Sequence, residues 1–296
     1  MITNSKNASS SFPQRVLHPR DFPPLLKEIP DKPKLLYVRG TMPPKDHKML
    51  CVVGSRATSL YGRRVCQQLI AGLAGYPVAI VSGMALGIDS EAHKAAMDVG
   101  LHTVAVLPSS LDDASIYPST NKPIAQRILA RGGALVSEDK GPHKAAIYDF
   151  PKRNRISAGM SVAALIIEAG EKSGTLITAR LALDYNREVL AIPHELGRET
   201  GAGVNRLIRE GATLIRTADD ILQVLGIKPL DTPRQAALPT DLSEPEMKVL
   251  HALTEALIRD ELIEQAELSA QDANIALSSL LIRGLIIERL GKIERL

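Results

Sequence analysis

The sequence predicts an α/β protein: an open, doubly wound, mainly parallel sheet with helices on both faces, followed by a small winged-helix unit. Three observations predict it. Apolar runs of four to six residues, which read as strands buried on both faces, take turns with helical stretches. Five of these runs are followed by segments bearing Gly, Ser or cations, where an open sheet presents its carboxyl rim. A proline-bearing segment then separates this alternation from a tail of opposite charge.

The elements follow in chain order. Residues 1–14 are rich in Ser and Asn and are expected to be disordered. Residues 15–48 form a proline-rich, extended lead-in with one short strand at Leu35–Val38. The strands of the main unit, residues 15–225, are expected at Met49–Val53, Val78–Val81, Thr103–Leu107, Ala134–Ser137, Val162–Ile167 and Glu188–Ile192, with a last one at Ala212–Ile215. Helices are expected at Gly62–Leu73, Ile88–Val99, Ile124–Ala130, Thr175–Leu183 and Ala218–Leu225. Residues 226–240 read as a linker. In residues 241–296, Ser243 and Glu246 form a capping box that opens a helix with Met247, Leu250, Leu253 and Leu257 on one face. A further helix starts at Ser269 and stops at Gly284, and Leu285–Arg289 and Lys292–Arg295 flank a hairpin turn at Leu290-Gly291. Three helices and a terminal hairpin describe a winged helix.

Composition narrows the function. The 296 residues are 45% hydrophobic and 23% charged, an ordinary globular balance that excludes wholesale disorder. The charge-free stretch Ile156–Ile167 is too short to cross a bilayer, and the N-terminus lacks the apolar core of a signal peptide. Two cysteines exclude a disulfide scaffold and a Cys-based zinc ribbon, so a reducing cytoplasm is expected. The net charge of +3 hides an asymmetry: residues 241–296 hold 6 Lys/Arg against 11 Asp/Glu, leaving 30 against 22 in residues 1–240. A basic body suggests a polyanion partner.

The loops after the strands carry the chemistry. They are Gly54-Ser55-Arg56, the Ser82–Asp89 segment with Gly83 and Gly87, Phe150-Pro151-Lys152-Arg153-Asn154-Arg155, the Glu168–Thr175 segment with Lys172, Ser173 and Gly174, and Gly203-Val204-Asn205-Arg206. Glycines let a backbone approach an anion, and helix N-termini offer free N–H groups. With Arg56, Lys152, Arg153, Arg155, Lys172 and Arg206 among them, these loops predict a phosphate-binding groove. No G-x-G-x-x-G follows the first strand and no Walker A ending closes the Gly170–Thr175 loop, so neither a dinucleotide cofactor nor ATP hydrolysis is supported; no metal motif is present either. Asp89 and Glu168 are candidate bases with simpler roles open to them, a helix cap or a partner for the cations.

The rim motifs resemble the DNA-processing protein A family, also called Smf. The matching segments are Phe22-Pro-Pro-Leu-Leu-Lys-Glu-Ile-Pro, Leu36-Tyr-Val-Arg-Gly, Val53-Gly-Ser-Arg with Tyr61-Gly-Arg-Arg, and Ser82-Gly-Met-Ala-Leu-Gly-Ile-Asp with His93. Phe150-Pro-Lys-Arg-Asn-Arg-Ile, Ser173-Gly-Thr-Leu-Ile-Thr-Ala-Arg and Asn205-Arg-Leu-Ile-Arg-Glu-Gly-Ala complete the pattern, which runs from about residue 20 to 225 in the family's order. The resemblance implies an extended Rossmann fold and a non-enzymatic protein that binds single-stranded DNA. It also implies protection of incoming DNA in natural transformation, loading of the RecA recombinase, and a homodimer. By motif, it places Gly54, Ser55, Arg56, Ser82, Gly83, Phe150, Arg153, Asn154, Arg155, Lys172, Ser173 and Gly174 at the phosphate site. The chain departs from the family at Leu107-Pro108-Ser109-Ser110, where a glycine-containing loop is usual, and at Pro193-His194, where Pro-Gly is usual.

A single strand needs a basic track and a stacking surface. Phe150, directly ahead of the cations, is the expected stacking residue, with Tyr148 second and a core role for Phe150 the alternative. The acidic winged helix should be repelled by phosphates, which favours a protein-contact or regulatory role for it. Two other classes stay open: a Rossmann-like nucleotide (phosphoribo)hydrolase using the same rim, and a duplex-reading regulator using the winged helix.

Overall fold

The computed structural model describes residues 12–229, 242–253, 257–283, 285–289 and 291–295. The expected disorder of residues 1–14 falls largely outside them, as do most of the linker, the helix stop at Gly284 and Leu290 of the hairpin turn. The chain divides into two compact units, Met1–Asp231 and Thr232–Leu296.

In the first unit a lead-in supplies β1 (Arg15–Leu17), a short helix α1 (Pro24–Glu28) and β2 (Leu36–Gly40). Strand β3 (Lys48–Val53) and helix α2 (Leu60–Ala71) start the alternation, followed by β4 (Val78–Ser82), α3 (Ile88–Asp98), β5 (His102–Val106), α4 (Lys122–Ala130) and β6 (Ala134–Ser137). Then come α5 (Asp149–Met160), β7 (Ala163–Ile166), α6 (Thr175–Asp184), β8 (Glu188–Ala191), α7 (Glu199–Arg209), β9 (Thr213–Leu214) and α8 (Ala218–Val224). The nine strands form one sheet in the order β1-β2-β6-β5-β4-β3-β7-β8-β9. The strands from β6 to β9 along that order are parallel, while β2 joins β6, and β1 joins β2, antiparallel. The doubly wound α/β fold is therefore present, with an antiparallel edge that the lead-in provides.

Alternation along each strand sends neighbouring side chains to opposite faces. Cys51 and Val53 of β3 join one apolar layer with Ile156 of α5 and Ala179 of α6, and Leu50 and Val52 join the other with Cys66 of α2 and Ala92 of α3. The chain moves outward from β3 in one direction up to β6 and in the other through β7, β8 and β9. That reversal opens a crevice between the carboxyl ends of β3 and β7, where ligands of such sheets sit.

Two rim segments read as loops are helical. Phe150–Ser157 lies within α5, and Gly203–Ile208 lies within α7. Helix α5 has a weak apolar period and starts with a Pro and a run of cations, so its sequence looks like a loop; its apolar residues are concentrated in the last turns, where Ile156, Ala158 and Met160 are buried.

The second unit holds α9 (Glu244–Ala252), β10 (Leu257–Ile258), α10 (Arg259–Gln265), α11 (Ala270–Ile282), β11 (Ile286–Arg289) and β12 (Lys292–Arg295). The Ser243–Glu246 capping box closes as expected, with both reciprocal bonds formed. Helix α9 ends at Ala252, so Leu257 packs from β10 rather than from the helix, and Met247 is 40% exposed instead of facing the core. Strand β12 pairs antiparallel with both β10 and β11.

Candidate nucleic-acid interface

At the β3/β7 crevice an open cleft of about 520 Å³ is lined by Gly54, Ser55, Arg56 and Ala57 after β3, by Ala85 and Asp89 around the start of α3, and by Phe150, Pro151, Arg153, Asn154 and Ser157 of α5. Ser173, Gly174, Thr175, Ile177 and Thr178 at the start of α6 close it. Gly54 is required by close approach: a Cβ there would collide with Ile88 at the beginning of α3. Ser173 Oγ donates to Thr175 Oγ1 (3.0 Å) and accepts from Thr175 N–H (3.2 Å), which shapes the entry to α6.

Along a helix, positions 150, 153, 154 and 157 share one face. That face of α5 turns Phe150, Arg153, Asn154 and Ser157 into the cleft. The Arg56 guanidinium carbon lies 4.7 Å from the Phe150 ring centroid, a cation–π contact at the mouth. The Tyr117 ring meets Phe150 at 5.9 Å between centroids, with planes 68° apart. Tyr148 is 70% exposed but does not line the cleft, so Tyr117 rather than Tyr148 is the second aromatic beside Phe150.

The floor is ionic and buried. Arg153 donates from Nη1 to the Val106 carbonyl (2.8 Å), and its guanidinium and the Asp89 carboxylate flank Gly83 so closely that any Cβ there would strike both. Burial pushes the Asp89 carboxyl above its ordinary range while the Arg153 charge opposes that shift, and burial likewise lowers Arg153, with Asp89 opposing. Asp89 Oδ2 also accepts from Ala85 N–H (3.3 Å). Beneath Gly83, His93 is wholly buried, with Nε2 2.6 Å from the Gly83 carbonyl and Nδ1 2.7 Å from Thr103 Oγ1; burial lowers it to about 4, so it is neutral at pH 7.

Eight of the fifteen expected site residues meet in this cleft: Gly54, Ser55, Arg56, Phe150, Arg153, Asn154, Ser173 and Gly174. The other seven do not. Ser82 is fully buried and spends its hydroxyl on the Val52 carbonyl (2.6 Å), and Gly83 is packing space for Arg153. Lys152 and Arg155 are on the other side of α5, facing Glu138 at 3.9 and 2.6 Å, and Arg155 also donates to the Asp31 carbonyl (2.6 Å). Lys172, Asn205 and Arg206 line a second groove of about 780 Å³ with Gly170, Arg198 and Arg209. There Asn205 is structural, accepting from His194 N–H (3.0 Å) and donating to the His194 carbonyl (2.9 Å).

Glu168 does not order the cations. It accepts from Thr58 Oγ1 (3.1 Å) and Ser59 N–H (3.0 Å), pinning the start of α2 to the end of β7; although burial works against its charge, these hydrogen bonds hold its carboxyl below the usual range. Neither family departure reaches the cleft. Ser109 and Ser110 are fully buried, with Ser110 Oγ donating to Asp112 (2.7 Å), and the His194 ring meets the Ile167 carbonyl (2.8 Å) and the edge of Tyr61. Thr175, Thr178 and Ser157 line the cleft without having been singled out; their only signal was membership of the α6 start and of the 150, 153, 154, 157 face. Among the described residues, no group of three or more His, Cys, Asp or Glu is placed to hold a metal ion, and no helix is long and apolar enough to cross a membrane.

Residues 15–226 match the family described as DNA recombination-mediator protein A. Protein Smf of Escherichia coli (strain K12) is 41% identical over 216 residues, which cover 72% of this chain and 57% of that protein. The chain spans just over half the length of such curated relatives. Among solved structures, the X-ray structure of DNA processing protein A from Streptococcus pneumoniae is similar with a TM-score of 0.65 at 35% identity, covering 72% of this chain and 74% of that one. The DNA processing protein A of Helicobacter pylori, solved to describe its single-stranded DNA binding mode, gives a TM-score of 0.64 at 29% identity and covers 73% and 96%.

Proposed function

The chain belongs to the DNA recombination-mediator protein A family, and on that premise we propose that its first unit binds single-stranded DNA in the β3/β7 cleft. One observation carries the proposal: the Arg56 guanidinium lies 4.7 Å over the Phe150 ring at the mouth of a cleft that the N-terminus of α6 closes. Helix N–H groups and Arg56 suit phosphates, while the half-buried ring suits a base. Base–aromatic stacking and phosphate contacts read no base edges, so binding is expected to require no sequence motif, with at most a modest preference of composition. The binding mode described for the Helicobacter pylori relative supports the same ligand. The second groove is less suited to the strand: beside Lys172 and Arg209 it is lined by Glu171 and Glu199, and its Arg198 and Arg206 pair with Glu195 and Glu210.

The protein acts by binding rather than by catalysis. Asp89, the carboxylate nearest the cleft, is buried against Arg153 and committed to Ala85, and Glu168 is committed to Thr58 and Ser59. Its role is then that of the family: protecting incoming DNA in natural transformation and loading the RecA recombinase, as a cytoplasmic homodimer. The acidic second unit, read as a winged helix, has a protein-contact or regulatory role, since phosphates repel it.

The test compares a twenty-base oligonucleotide with a mononucleotide, on the full chain and on residues 1–240. Tight oligonucleotide binding, retained to within a few-fold on truncation, is expected. Equal affinity for the mononucleotide points to the nucleotide hydrolase instead. A loss of about tenfold or more on truncation means that the acidic unit contacts DNA.

A further inference from the structure

We infer that Tyr117 is a second stacking surface, set at a steep angle to Phe150, so that the site holds two neighbouring bases of one strand unstacked from each other. This rests on the proposal that single-stranded DNA occupies the cleft.

Aromatic side chains are scarce here, with three Phe, six Tyr and no Trp in the whole chain. Most of the tyrosines serve the interior: Tyr185 is buried, and Tyr37, Tyr61 and Tyr76 pack against apolar clusters. Tyr117 is different. It is 51% exposed, and the one ring it touches among the described residues is Phe150. An exposed ring in a loop is ordinary when the loop is loose, but this one is anchored on both sides. Ser115 and Ile116 before it are buried. After it, the buried Asn121 amide donates to the Met84 carbonyl (2.8 Å), the Ala85 carbonyl (3.2 Å) and Ser90 Oγ (2.9 Å). Those bonds tie the Tyr117 segment to the loop that contributes Ala85 to the cleft. A ring displayed by a fixed backbone gives contact area at low entropic cost.

The angle sets the chemistry. Consecutive bases in a duplex lie parallel, whereas the Tyr117 and Phe150 planes differ by 68°. Two adjacent bases that each stack on one ring must therefore turn away from each other. A single strand permits that turn at the cost of unstacking, and a duplex does not. Arg56, already over the Phe150 ring, supplies charge at the bend where the backbone passes. Because purines stack on one another more strongly than thymines, the same geometry favours a thymine run over an adenine run.

The experiment titrates twenty-base oligothymidylate and oligoadenylate, at one salt concentration, against the full chain and its Tyr117→Ala, Tyr117→Phe and Phe150→Ala variants. The wild-type chain is expected to prefer oligothymidylate. Tyr117→Ala should bind oligothymidylate roughly five- to 150-fold more weakly, the equivalent of one lost base stack, and should lose most of the preference over oligoadenylate. Tyr117→Phe should stay within about twofold of wild type, and the melting temperature should not move in either Tyr117 variant. If Tyr117→Ala binds like wild type while Phe150→Ala does not, one ring stacks and the inference fails with the DNA site intact. If Tyr117→Ala weakens binding but keeps the thymine preference, Tyr117 only supports Phe150 and the inference again fails. If the wild-type chain binds neither oligonucleotide, or both Ala variants match it, the cleft is not the DNA site and both proposals fall.

Discussion

Two faces of α5, one residue apart along the chain, do opposite things. Phe150, Arg153, Asn154 and Ser157 enter the cleft, while Lys152 and Arg155 turn away to Glu138. In an extended loop all four charged and polar residues of Lys152-Arg153-Asn154-Arg155 could follow one phosphate track. In a helix, with 100° between successive residues, they cannot. The difference teaches that a run of cations is a binding surface only in the phase that the secondary structure allows. Even among the cations that line the cleft, position decides the role: Arg56, after β3, is exposed, whereas Arg153 of α5 is 7% exposed and belongs to the floor with Asp89.

The sharpest way to break this comparison is Arg153→Ala. Removing it takes away the charge that opposes the upward shift of the buried Asp89 carboxyl and leaves the Val106 carbonyl without its donor, and an unsatisfied buried group typically costs about 1–3 kcal/mol, more where it is charged. A large fall in melting temperature is expected, and a folded variant with unaltered stability but weakened DNA binding would place Arg153 among the ligand contacts instead. Next comes Phe150→Ala, which should cost about 1–3 kcal/mol of binding, one base stack, with a modest change in stability because Phe150 stands outside the apolar clusters of the core. The ring also holds Arg56, so the Phe150→Ala and Arg56→Ala effects should not add; a double-mutant cycle giving simple additivity would mean that the 4.7 Å contact carries no energy.

The smallest effect separates a cation that lines the cleft from one that α5 turns away from it. Arg56→Ala should shallow the slope of log affinity against log salt by roughly 0.7, the share of one lost phosphate contact on a single strand. Arg155→Ala should leave that slope unchanged, since its guanidinium is held by Glu138 and the Asp31 carbonyl, and should register as a small stability loss. Equal slopes for the two variants would mean that pairing with Glu138 does not withdraw Arg155 from the phosphates.

Much of this protein was legible before any tertiary contact. Strands such as Ala134–Ser137 and helix starts such as Ser243 and Ser269 follow from apolar runs and from capping chemistry, which act over a few residues. Glycine, serine and cation content alone marks the loops after β3 and β7 as candidates, and Gly54, Ser55, Arg56, Ser173 and Gly174 meet in one cleft while Lys172 lines the second groove. Three things were decided only by the tertiary structure. The strand order placed β3 beside β7, although more than 100 residues separate them, and so opened the crevice there rather than beside β4. Packing of Ile156 and Met160 against the sheet turned a cation-rich segment with little helical period into α5 and set its phase. Distant partners then claimed side chains that local sequence offered to the ligand: Glu138 and Asp31 took Arg155, Asp89 faced Arg153, and His194 took Asn205. The physical reason is range. Propensity and capping depend on neighbours within a turn or two, whereas charge pairing and ring contact, such as that between Tyr117 and Phe150, depend on which segments the folded sheet brings together.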